Sequence, residues 1–312
     1  MTAEVLKTTD FKTLGEKKTG KVRDIYVQPE RLILVTTDRH SSFDRIIAHI
    51  PWKGQVLNQV SAWWFEQTKD IVPNHVLAVP DPNVTVGKKM KMVPVEAVMR
   101  GYLTGVTDTS IWTRYQSGTR EFGELKLPDG LKKNTKLLTP VFDPTTKEEG
   151  HDRAISTEQM VAEGLITAEL LQRVKDTATK LFVRGQELAA KRGLILVDTK
   201  YEFGTDEKGN LVLIDEIHTP DSSRYWQLEG YEESLAKGSE PKSFDKEFLR
   251  LWFKENCDPY KDAVLPEAPQ ELVEELSRRY IQMYEQITGM QFVKGEQPII
   301  PRMEKNVSPY AV

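Results

Sequence analysis

The side chains best suited to chemistry lie in two segments, LILVDTKYEFG and LVLIDEI, which are separated by the turn DEKGN. Both segments have strand character and together predict a β-hairpin. Side chains alternate along a strand, so Asp198, Lys200 and Glu202 project from one face. Asp215 follows the apolar run of the second strand. A sheet face with these charges must be solvated, paired or metal-bound.

This acidic hairpin has two interpretations. Carboxylates on paired strands form a suitable cradle for Mg²⁺, which takes oxygen ligands and commonly shares them with nucleotide phosphates. The other interpretation is a solvated outer face on which lysine and carboxylate side chains pair across the strands. Because such alternation is common on half-buried antiparallel hairpins, the pattern alone leaves both interpretations open.

The basic segment GKVRDIY near the start of the chain is a second candidate. Gly20 precedes it, and Lys21 and Arg23 share a face if the segment is extended. A glycine beside a basic strand suits a segment that folds over phosphates. It is not a Walker A motif, which needs GxxxxGK[ST] before a helix, and it lacks GxGxxG. A charged edge strand accounts for the same residues.

Two further segments offer groups for an anion. The apolar stretch VPVEAVMRGYLTG carries Arg100 beside a glycine, and arginine suits bidentate capture of phosphate or carboxylate. The stretch TPDSSR offers the hydroxyls of Ser222 and Ser223 and the guanidinium of Arg224. An arginine snorkelling from a strand end and ordinary turn chemistry explain these residues equally well.

Other reactive residue types give little support to other chemistries. The histidines are scattered without HExxH spacing, and we expect them on the surface or in the core. The chain has no GxSxG elbow, so serine hydrolysis has no support. The single cysteine, Cys257, excludes an intramolecular disulfide and a multi-cysteine metal site. The polar segment at 38–44 and the pair His151-Asp152 are suited to line a pocket.

The charged segments need a scaffold, and the chain pattern predicts an α+β fold with strands early and late and helices between and after. Strand character is found at residues 21–27, 31–37, 75–79, 91–100, 194–201 and 210–217. Helices are predicted near 58–68, 109–115, 244–253 and 269–288. Residues 38–44 are interpreted as a loop and DPNVTVGKK as an exposed turn.

Two more helices have start signals in the sequence. Ser156 and Gln159 form a capping box, and Thr167 opens a longer helix that Gly193 ends. The buried face of this longer helix is predicted to consist of Leu171, Val174, Ala178, Leu181, Phe182 and Leu188. Residues 118–153 are polar and show little periodicity, which is typical of a loop. A loop of this length is uncommon in a compact domain unless it is functional.

Composition narrows the class of protein. The chain has 312 residues, a net charge of −4 and 39% hydrophobic residues, which is typical of a globular protein. The near-balanced charge argues against a nucleic-acid-binding role. No apolar stretch has the length of a signal peptide core or a membrane helix. We therefore expect a soluble, cytoplasmic protein without a membrane partner, either a monomer or a small homo-oligomer.

Five motifs in this order resemble one family: GKVRDIY, DRHSSFDRII, PVEAVMRGYLTG, LVDTKYEFG and IDEIHTPDSSR. The chain is similar to the phosphoribosylaminoimidazole-succinocarboxamide synthase, or SAICAR synthase, family of purine biosynthesis. The resemblance implies a two-lobed α+β fold related to the nucleotide sites of ATP-grasp enzymes and protein kinases. It places a β-rich nucleotide-binding lobe at 1–105 and an α+β lobe with the metal and substrate site at 106–312.

The resemblance implies an ATP-dependent ligase, forming a carbon–nitrogen bond between L-aspartate and carboxyaminoimidazole ribonucleotide (CAIR). The products would be SAICAR, ADP and phosphate, formed through an acyl phosphate. ATP and Mg²⁺ are the implied cofactors. No segment resembles the carboxylase domain that is fused to this enzyme in animals, so the chain is predicted to be monofunctional. A small-molecule kinase with the same nucleotide site is the alternative, and a nucleotide sensor is a third possibility.

Residue roles follow from the matching motifs. The metal ligands would be Glu202 and Asp215, and the catalytic residues would be Lys200, Asp198 and Lys21. The nucleotide would contact Gly20, Lys21, Arg23, Glu96 and Val98, with adenine lying along the backbone of 95–99. The substrate-binding residues would be Ser41, Asp44, Arg100, Ser110, Asp152, Ser222, Ser223 and Arg224.

Two positions depart from the pattern common in the family. Val106 stands where many members have a serine, and Thr107 or Ser110 is expected to supply the missing hydroxyl. Asp143 stands in PVFDPTTK where a threonine is common. Both positions lie in segments that the resemblance assigns to substrate contacts, so either change could alter those contacts.

Overall fold

A computed structural model describes residues 4–107, 109–147, 155–244 and 247–312, and it has the predicted mixture of helices and sheets. The strands are β1 (Glu16–Thr19), β2 (Arg23–Val27), β3 (Arg31–Thr36), β4 (Arg39–Ser42), β5 (Arg45–His49), β6 (Val76–Asp81), β7 (Val84–Lys88), β8 (Lys91–Tyr102), β9 (Glu121–Phe122), β10 (Leu125–Lys126), β11 (Lys136–Phe142), β12 (Thr145–Thr146), β13 (Leu194–Thr205), β14 (Leu211–Ile214) and β15 (Ser223–Gln227). The helices are α1 (Lys53–Thr68), α2 (Ile111–Gln116), α3 (Thr157–Ala162), α4 (Ala168–Ala190), α5 (Tyr231–Lys237), α6 (Glu247–Asn256), α7 (Gln270–Thr288) and α8 (Ile299–Val307).

The chain divides into two compact units. Unit 1 comprises Met1–Trp63, His75–Lys89 and Phe244–Val312, and unit 2 comprises Trp64–Asn74 and Met90–Ser243. The boundaries of these units differ from those of the predicted lobes. Strand β8 pairs with β13 of the late hairpin, and the C-terminal residues share a core with the N-terminal ones. The assignment of nucleotide and substrate to separate lobes stays a prediction.

Unit 1 is built on an antiparallel sheet in the order β1-β2-β3-β7-β6. Its core joins residues from the two ends of the chain. Apolar side chains of the N-terminal segment, the sheet and α8 pack together there: Leu6, Phe11, Leu14, Tyr26, Ile33, Val35, Val84, Val86, Ile299, Met303 and Val307. The predicted β2–β3 hairpin is confirmed by the strand pairing.

Two predictions of loops in unit 1 were wrong. Residues 38–44 lie mostly in the hairpin β4–β5, whose turn residues Phe43 and Asp44 have φ of 55° and 56°. Two positive φ values are typical of a type I′ turn, which usually carries Asn-Gly, so this turn had no recognisable signal. DPNVTVGKK contains β7, a buried strand between β3 and β6. Its glycine is needed because a Cβ added at Gly87 would lie 2.5 Å from His75 Nδ1.

Unit 2 is built on a sheet in the order β11-β8-β13-β14, with β12 also paired to β8 and β15 to β13. The predicted late hairpin is confirmed as β13–β14. Helix α4 packs against β13 and β8. Thr167, which was predicted to open the helix, is its N-cap, and most of the predicted buried face is confirmed. Leu188 is only partly buried, and Gly185 is buried instead. The capping box of Ser156 and Gln159 on α3 is also confirmed.

None of the helices in the described part of the chain is long and apolar enough to cross a membrane.

Candidate active site

The strand register of unit 2 aligns arginines and aspartates across the sheet. Asp198 on β13 is paired with Arg100 on β8 and with Arg224 on β15. Arg224 Nη2 lies 3.7 Å from Asp198 Oδ2. Arg100 Nε donates a hydrogen bond to Asp143 Oδ2 at 2.6 Å, and Arg114 Nη1 donates to Asp143 Oδ1 at 2.9 Å. We call Arg114, Asp143, Arg100, Asp198 and Arg224 the charged row.

Acidic side chains gather further along the same strands. Glu202 on β13 is paired with Glu96 on β8 and with Ile214 on β14, so Asp215 follows directly. Lys200 Nζ donates to Glu96 Oε1 at 2.6 Å, and Lys147 forms an ion pair with Glu202. We call Glu96, Glu202 and Asp215 the carboxylate cluster.

The electrostatics of the carboxylate cluster favour a bound cation. Burial raises the pKa of Glu202, and the charge of Asp215 raises it further against the opposing effects of Lys147 and Lys200. Burial alone would lower the pKa of Lys200, but the charges of Glu96, Glu202 and Asp215 outweigh it and raise this pKa. The ammonium therefore stays charged at neutral pH, and a further cation would relieve the repulsion between the carboxylates.

The carboxylates of Glu202 and Asp215 fit a magnesium ion that is also bound by waters and substrate phosphates. Within the ranges that the structure describes, no group of three or more His, Cys, Asp or Glu side chains could hold a metal. Mg²⁺ is usually bound by one or two carboxylates together with waters and substrate phosphates. Glu202 and Asp215 are close enough for the charge of one to shift the pKa of the other. Two such carboxylates match that mode of binding.

The two groups occupy separate positions along one sheet face. Asp198 and Glu202 are four residues apart on β13, which corresponds to about 13 Å at the rise of a β-strand. Lys200 lies between them on the same face. The sheet therefore presents arginines at one position and carboxylates at another, with an ammonium between.

The opposite face of β13 contacts the segment that follows the second strand. Tyr201 Oη and His218 Nε2 form a hydrogen bond of 2.5 Å, and both side chains are fully buried. Burial lowers the pKa of His218 to about 3, so this imidazole is neutral. The ring of Trp64 meets it edge-on at 4.6 Å. His218 is therefore buried in the core, one of the two positions expected for the histidines, and it anchors the segment that follows Asp215.

The serines predicted to bind phosphate are also engaged within the fold. Ser222 Oγ accepts a hydrogen bond from Thr219 N at 3.1 Å and closes the turn before β15. Ser223 Oγ lies 2.7 Å from Thr199 Oγ1 on β13. Arg224 belongs to β15 and not to the turn, and its side chain is 42% exposed. Of these residues, Arg224 is therefore the best placed to reach a ligand.

Ser110, which with Thr107 was one of two residues expected to supply the hydroxyl missing at Val106, lies next to Gly105. A Cβ added at Gly105 would lie 2.4 Å from Ser110 Cβ and 2.9 Å from its Oγ, so Ser110 packs directly against Gly105. The backbone φ of 109° at Gly105, which glycine adopts readily, permits this close contact. Ser110 is also the N-cap of α2, where its Oγ accepts from Thr113 N.

The strand context of Glu96 and Val98 differs from the expected adenine contact. β8 is paired with β13 on one side and with β12 and β11 on the other. The carbonyl of Val98 accepts a hydrogen bond from Asp143 N at 2.9 Å. Backbone groups already paired in this way are poorly available to adenine, and Glu96 is instead the ion-pair partner of Lys200. Their assignment to the nucleotide stays a prediction that this pairing disfavours.

The predicted nucleotide segment of unit 1 forms a turn held by one arginine. Gly20 N donates to Arg23 O at 2.8 Å, so Lys21 lies in the β1–β2 turn and the strand begins at Arg23. Arg39, which the sequence did not single out, donates to the carbonyls of Gly20 and Lys21 and forms an ion pair with Asp24. This buried guanidinium fixes the turn.

Lys21, Ser41 and Asp44 lie near the surface of unit 1. Lys21 Nζ contacts Asp44 Oδ1 at 2.6 Å, and both side chains are about two-thirds exposed, at 66% and 68%. Asp44 is in the β4–β5 turn, and Ser41 is on β4. The exposed ammonium of Lys21 is available to an anion. Asp152 and His151, predicted to line a pocket, lie outside the described residues.

A cavity of about 810 Å³ adjoins one end of the charged row. Charged side chains of both signs line it: the cations Arg114 and Lys175, and the carboxylates Asp143, Glu121, Glu124 and Glu158. Lys200, Glu202 and Asp215 are not among its lining residues. Its volume is typical of small-molecule sites. Of the charged row, only the Arg114–Asp143 end faces this cavity.

Fold and site together define a mixed helix-and-sheet protein with a row of arginines and aspartates and a cluster of carboxylates on one sheet face. A family model described as SAICAR synthetase matches residues 16–267. The chain belongs to the SAICAR synthetase family.

Named relatives support this membership over most of the chain. A phosphoribosylaminoimidazole-succinocarboxamide synthase of Legionella pneumophila (strain Paris) is 59% identical over 284 residues, which is 91% of each chain. A Saccharomyces cerevisiae SAICAR synthase structure complexed with SAICAR has a TM-score of 0.79 and 33% identity, covering 93% of this chain and 100% of the yeast one. A SAICAR synthetase in complex with ADP has a TM-score of 0.67 and 25% identity, covering 89% and 100%.

Proposed function

We propose that this chain catalyses the ATP-dependent joining of L-aspartate to CAIR, which yields SAICAR, ADP and phosphate in purine biosynthesis. The observation that carries the proposal is the sheet face on which the charged row and the carboxylate cluster flank Lys200. A ribonucleotide with a phosphate at one end and a carboxylate at the other suits such a face. Family membership and the SAICAR and ADP complexes of relatives support the same reaction.

The proposed reaction has two steps. A carboxylate oxygen of CAIR attacks the γ-phosphorus of ATP, the bond from this phosphorus to the bridging oxygen breaks, and ADP leaves. The amine nitrogen of aspartate then attacks the acyl carbon, the carbon–oxygen bond to phosphate breaks, and phosphate leaves while the amine loses a proton. Both steps gather negative charge, so fixed cations are expected to supply much of the catalysis.

Lys200 is the proposed cation for the transferring phosphoryl group. Its pKa is raised, so it carries a positive charge throughout the neutral range. The hydrogen bond to Glu96 fixes its Nζ at 2.6 Å from that carboxylate. A lysine held in one position can stabilise charge that develops on the phosphoryl oxygens without reorganising.

Glu202 and Asp215 are the proposed ligands for Mg²⁺. When bound, the ion would neutralise phosphate charge and the repulsion between these carboxylates. Lys147, which forms an ion pair with Glu202, would then release one carboxylate oxygen. The raised pKa of Glu202 implies that acid competes with the metal at a higher pH than for an exposed glutamate.

Arg100 and Arg224 are proposed to hold the CAIR phosphate, with Asp198 between them in the strand register. Ser110 and the turn with Ser222 and Ser223 would contribute hydroxyls. An arginine offers a planar fork of donors that matches phosphate geometry. The exposed guanidinium of Arg224 fits this role better than the serines, which hydrogen-bond within the fold.

The nucleotide is proposed to contact the Gly20–Arg23 turn of unit 1 through Lys21. Arg39 fixes the carbonyls of this turn, and Lys21 remains exposed. The kinship of this nucleotide site with ATP-grasp enzymes and protein kinases is part of the proposal. So are a cytoplasmic location, small-molecule partners only, and a monomeric or small homo-oligomeric state.

The test is ADP release by the purified protein with Mg-ATP and CAIR, with and without L-aspartate, while SAICAR is followed in parallel. We expect ADP and SAICAR to form one to one and only with aspartate. A reaction without CAIR controls for idle ATP hydrolysis.

Two results would contradict the proposal. ADP release with CAIR but without SAICAR would favour a small-molecule kinase, in which the acceptor keeps the phosphoryl group. Nucleotide binding without turnover would favour a sensor. Either outcome would leave the family membership and the fold unchanged, because neither rests on turnover.

A further inference from the structure

Arg114 is a charged residue of the site that the sequence motifs do not contain. It lies on α2, four residues after the N-cap Ser110, and its Nη1 donates to Asp143 Oδ1 at 2.9 Å. Asp143 also accepts from Arg100, through its other oxygen, at 2.6 Å. One carboxylate is therefore shared by two guanidinium groups.

The charge balance of this arrangement is informative. Arg100 paired with Asp143 alone would be neutral, and a neutral pair attracts an anion weakly. The second guanidinium returns the group to a net charge of +1. The side chains of Arg100 and Asp143 are 14% and 15% exposed, so water screens this charge less than it would at the surface. Arg114 thereby restores the positive potential that Asp143 would otherwise cancel.

Both arginines keep donors for a ligand. Each uses a single nitrogen to bind Asp143, and in the ranges that the structure describes the remaining guanidinium nitrogens have no hydrogen-bond acceptor. The Arg114 guanidinium also lies over the ring of Phe122 at 4.8 Å, which restricts its motion. A buried or half-buried guanidinium with spare N–H groups is suited to bind a carboxylate or phosphate.

The position of Arg114 gives it access to a ligand. Arg114 and Asp143 line the cavity of about 810 Å³. Arg114 side-chain exposure of 26% exceeds the 14% of Arg100, in keeping with this position. An anion in the cavity can therefore reach Arg114.

We propose that Arg114 is a substrate-binding residue for an anionic group, a carboxylate or a phosphate, and that Asp143 is the positioning residue that holds Arg100 and Arg114 together. The inference rests on the proposed function and deepens it. CAIR and aspartate both carry such groups, and the experiment distinguishes them. Asp143 thereby acquires a role that a threonine could not perform, because a hydroxyl cannot accept two charged donors on separate oxygens.

The test compares steady-state kinetics of wild type, Arg114→Gln and Arg114→Lys for ATP, CAIR and aspartate. We expect Arg114→Gln to raise the KM of one anionic substrate by about ten- to a hundredfold, with the KM of ATP unchanged. The substrate whose KM rises identifies the bound group. Arg114→Lys, which keeps the charge without the fork, should recover part of the loss.

A matched control separates binding from folding. Arg120 pairs with Asp129 through Nε at 2.7 Å and lies over the ring of Tyr115, but it is outside the charged row. Arg120→Gln should leave every KM unchanged. Asp143→Asn should raise the same KM as Arg114→Gln, because neither guanidinium is then held. If Arg114→Gln leaves every KM unchanged, as Arg120→Gln should, and lowers only the melting temperature, the inference is wrong.

Binding measurements distinguish this inference from the proposed function. Thermal shift with CAIR, with aspartate and with inorganic phosphate reports binding without turnover. If the wild type forms no SAICAR but stabilisation by one of these ligands depends on Arg114, the proposed reaction fails and this inference stands. If the wild type forms SAICAR and neither KM nor stabilisation depends on Arg114, only this inference fails.

Discussion

Asp215 combines an unusual backbone conformation with a charge that acts on Glu202. Its φ is 64°, in the left-handed region that asparagine and aspartate tolerate better than most residues. Its carboxylate raises the pKa of Glu202. A strained backbone beneath a carboxylate that repels Glu202 is better explained by a ligand than by stability.

Asp215→Asn should reduce turnover at least about 100-fold with the fold intact, because asparagine accepts the same φ but binds Mg²⁺ poorly. Loss of the charge should also lower the pKa of Glu202, and the melting temperature shows whether the fold is intact. Turnover and melting temperature are the measurements. Asp206→Asn, in the turn of the same hairpin, is the control. Near-normal turnover of the Asp215→Asn variant would contradict the assignment of Asp215 as a metal ligand.

Arg224→Ala should mainly weaken CAIR binding. Its guanidinium is 42% exposed and lies 3.7 Å from Asp198, so it contributes little to the core. We expect the KM of CAIR to rise by about ten- to a hundredfold and the KM of ATP to stay within about twofold. Arg120→Ala is the control. Equal weakening of both substrates would show that Arg224 does not hold the CAIR phosphate.

At the scale of the element, helix α4 fits its sheet through a glycine. Gly185 faces the buried side of α4, and a Cβ there would lie 2.4 Å from His218 Cε1 and 2.6 Å from Leu196 Cδ2. Helix propensity alone would favour alanine by about 1 kcal/mol. Close packing against the buried histidine reverses that preference, so this glycine marks a contact between elements.

Gly185→Ala should therefore destabilise the protein by about 1–2 kcal/mol, since overpacking outweighs the gain in propensity. Thermal or denaturant unfolding measures the change. Val183→Ala, on the exposed side of the same helix, should change the free energy of unfolding by less than about 0.5 kcal/mol. A stabilised Gly185→Ala protein would contradict the close contact with His218.

Asp38 joins two elements of unit 1. Its carboxylate accepts hydrogen bonds from Leu6 N at 2.7 Å and Gly54 N at 2.9 Å, so it connects the N-terminal segment to the start of α1. Burial raises its pKa to about 6, although these N–H groups and the charges of Lys53 and Arg302 oppose the shift. The folded protein thus binds this proton more tightly than the unfolded chain.

A raised carboxyl pKa adds stability below the ordinary value of 3.8, and this stability is lost as the pH rises through 6. The free energy of unfolding of wild type relative to Asp38→Asn should therefore be about 1 kcal/mol higher at pH 5 than at pH 7.5. Denaturant titrations of both proteins at the two pH values give the difference. An equal difference at both pH values would refute the raised pKa.

At the scale of the whole molecule, the first and last parts of the chain complete one core. Ile299, Met303 and Val307 of α8 are buried with residues of the N-terminal segment and of β2 and β3. The core of unit 1 therefore depends on side chains from both parts of the chain, whereas the charged row and the carboxylate cluster belong to unit 2.

Met303→Ala should cost about 2–5 kcal/mol, because it removes a fully buried side chain from that shared core. Met290→Ala, at a position that is 50% exposed, is the control and should be nearly neutral. Limited proteolysis should map the first cleavages of the Met303 variant to unit 1. First cleavages within unit 2 would contradict the division into these units.

Local patterns in the sequence determined much of this protein. Alternation predicted the β13–β14 hairpin and the common face of Asp198, Lys200 and Glu202, and the cap residues predicted the starts of α3 and α4. The ordered motifs indicated the family. These features depend on neighbours in the chain, so their physical causes can be read within a few residues.

Only the tertiary structure decided which distant residues meet. The pairing of β8 with β13 joins Arg100 to Asp198, and Asp143 joins Arg100 to Arg114. The contacts by which Arg39 holds the Gly20–Lys21 turn and the common core of the two chain ends likewise have no local signal. Pairing between remote segments depends on burial and register summed over the whole fold, and neither leaves a local pattern in the sequence.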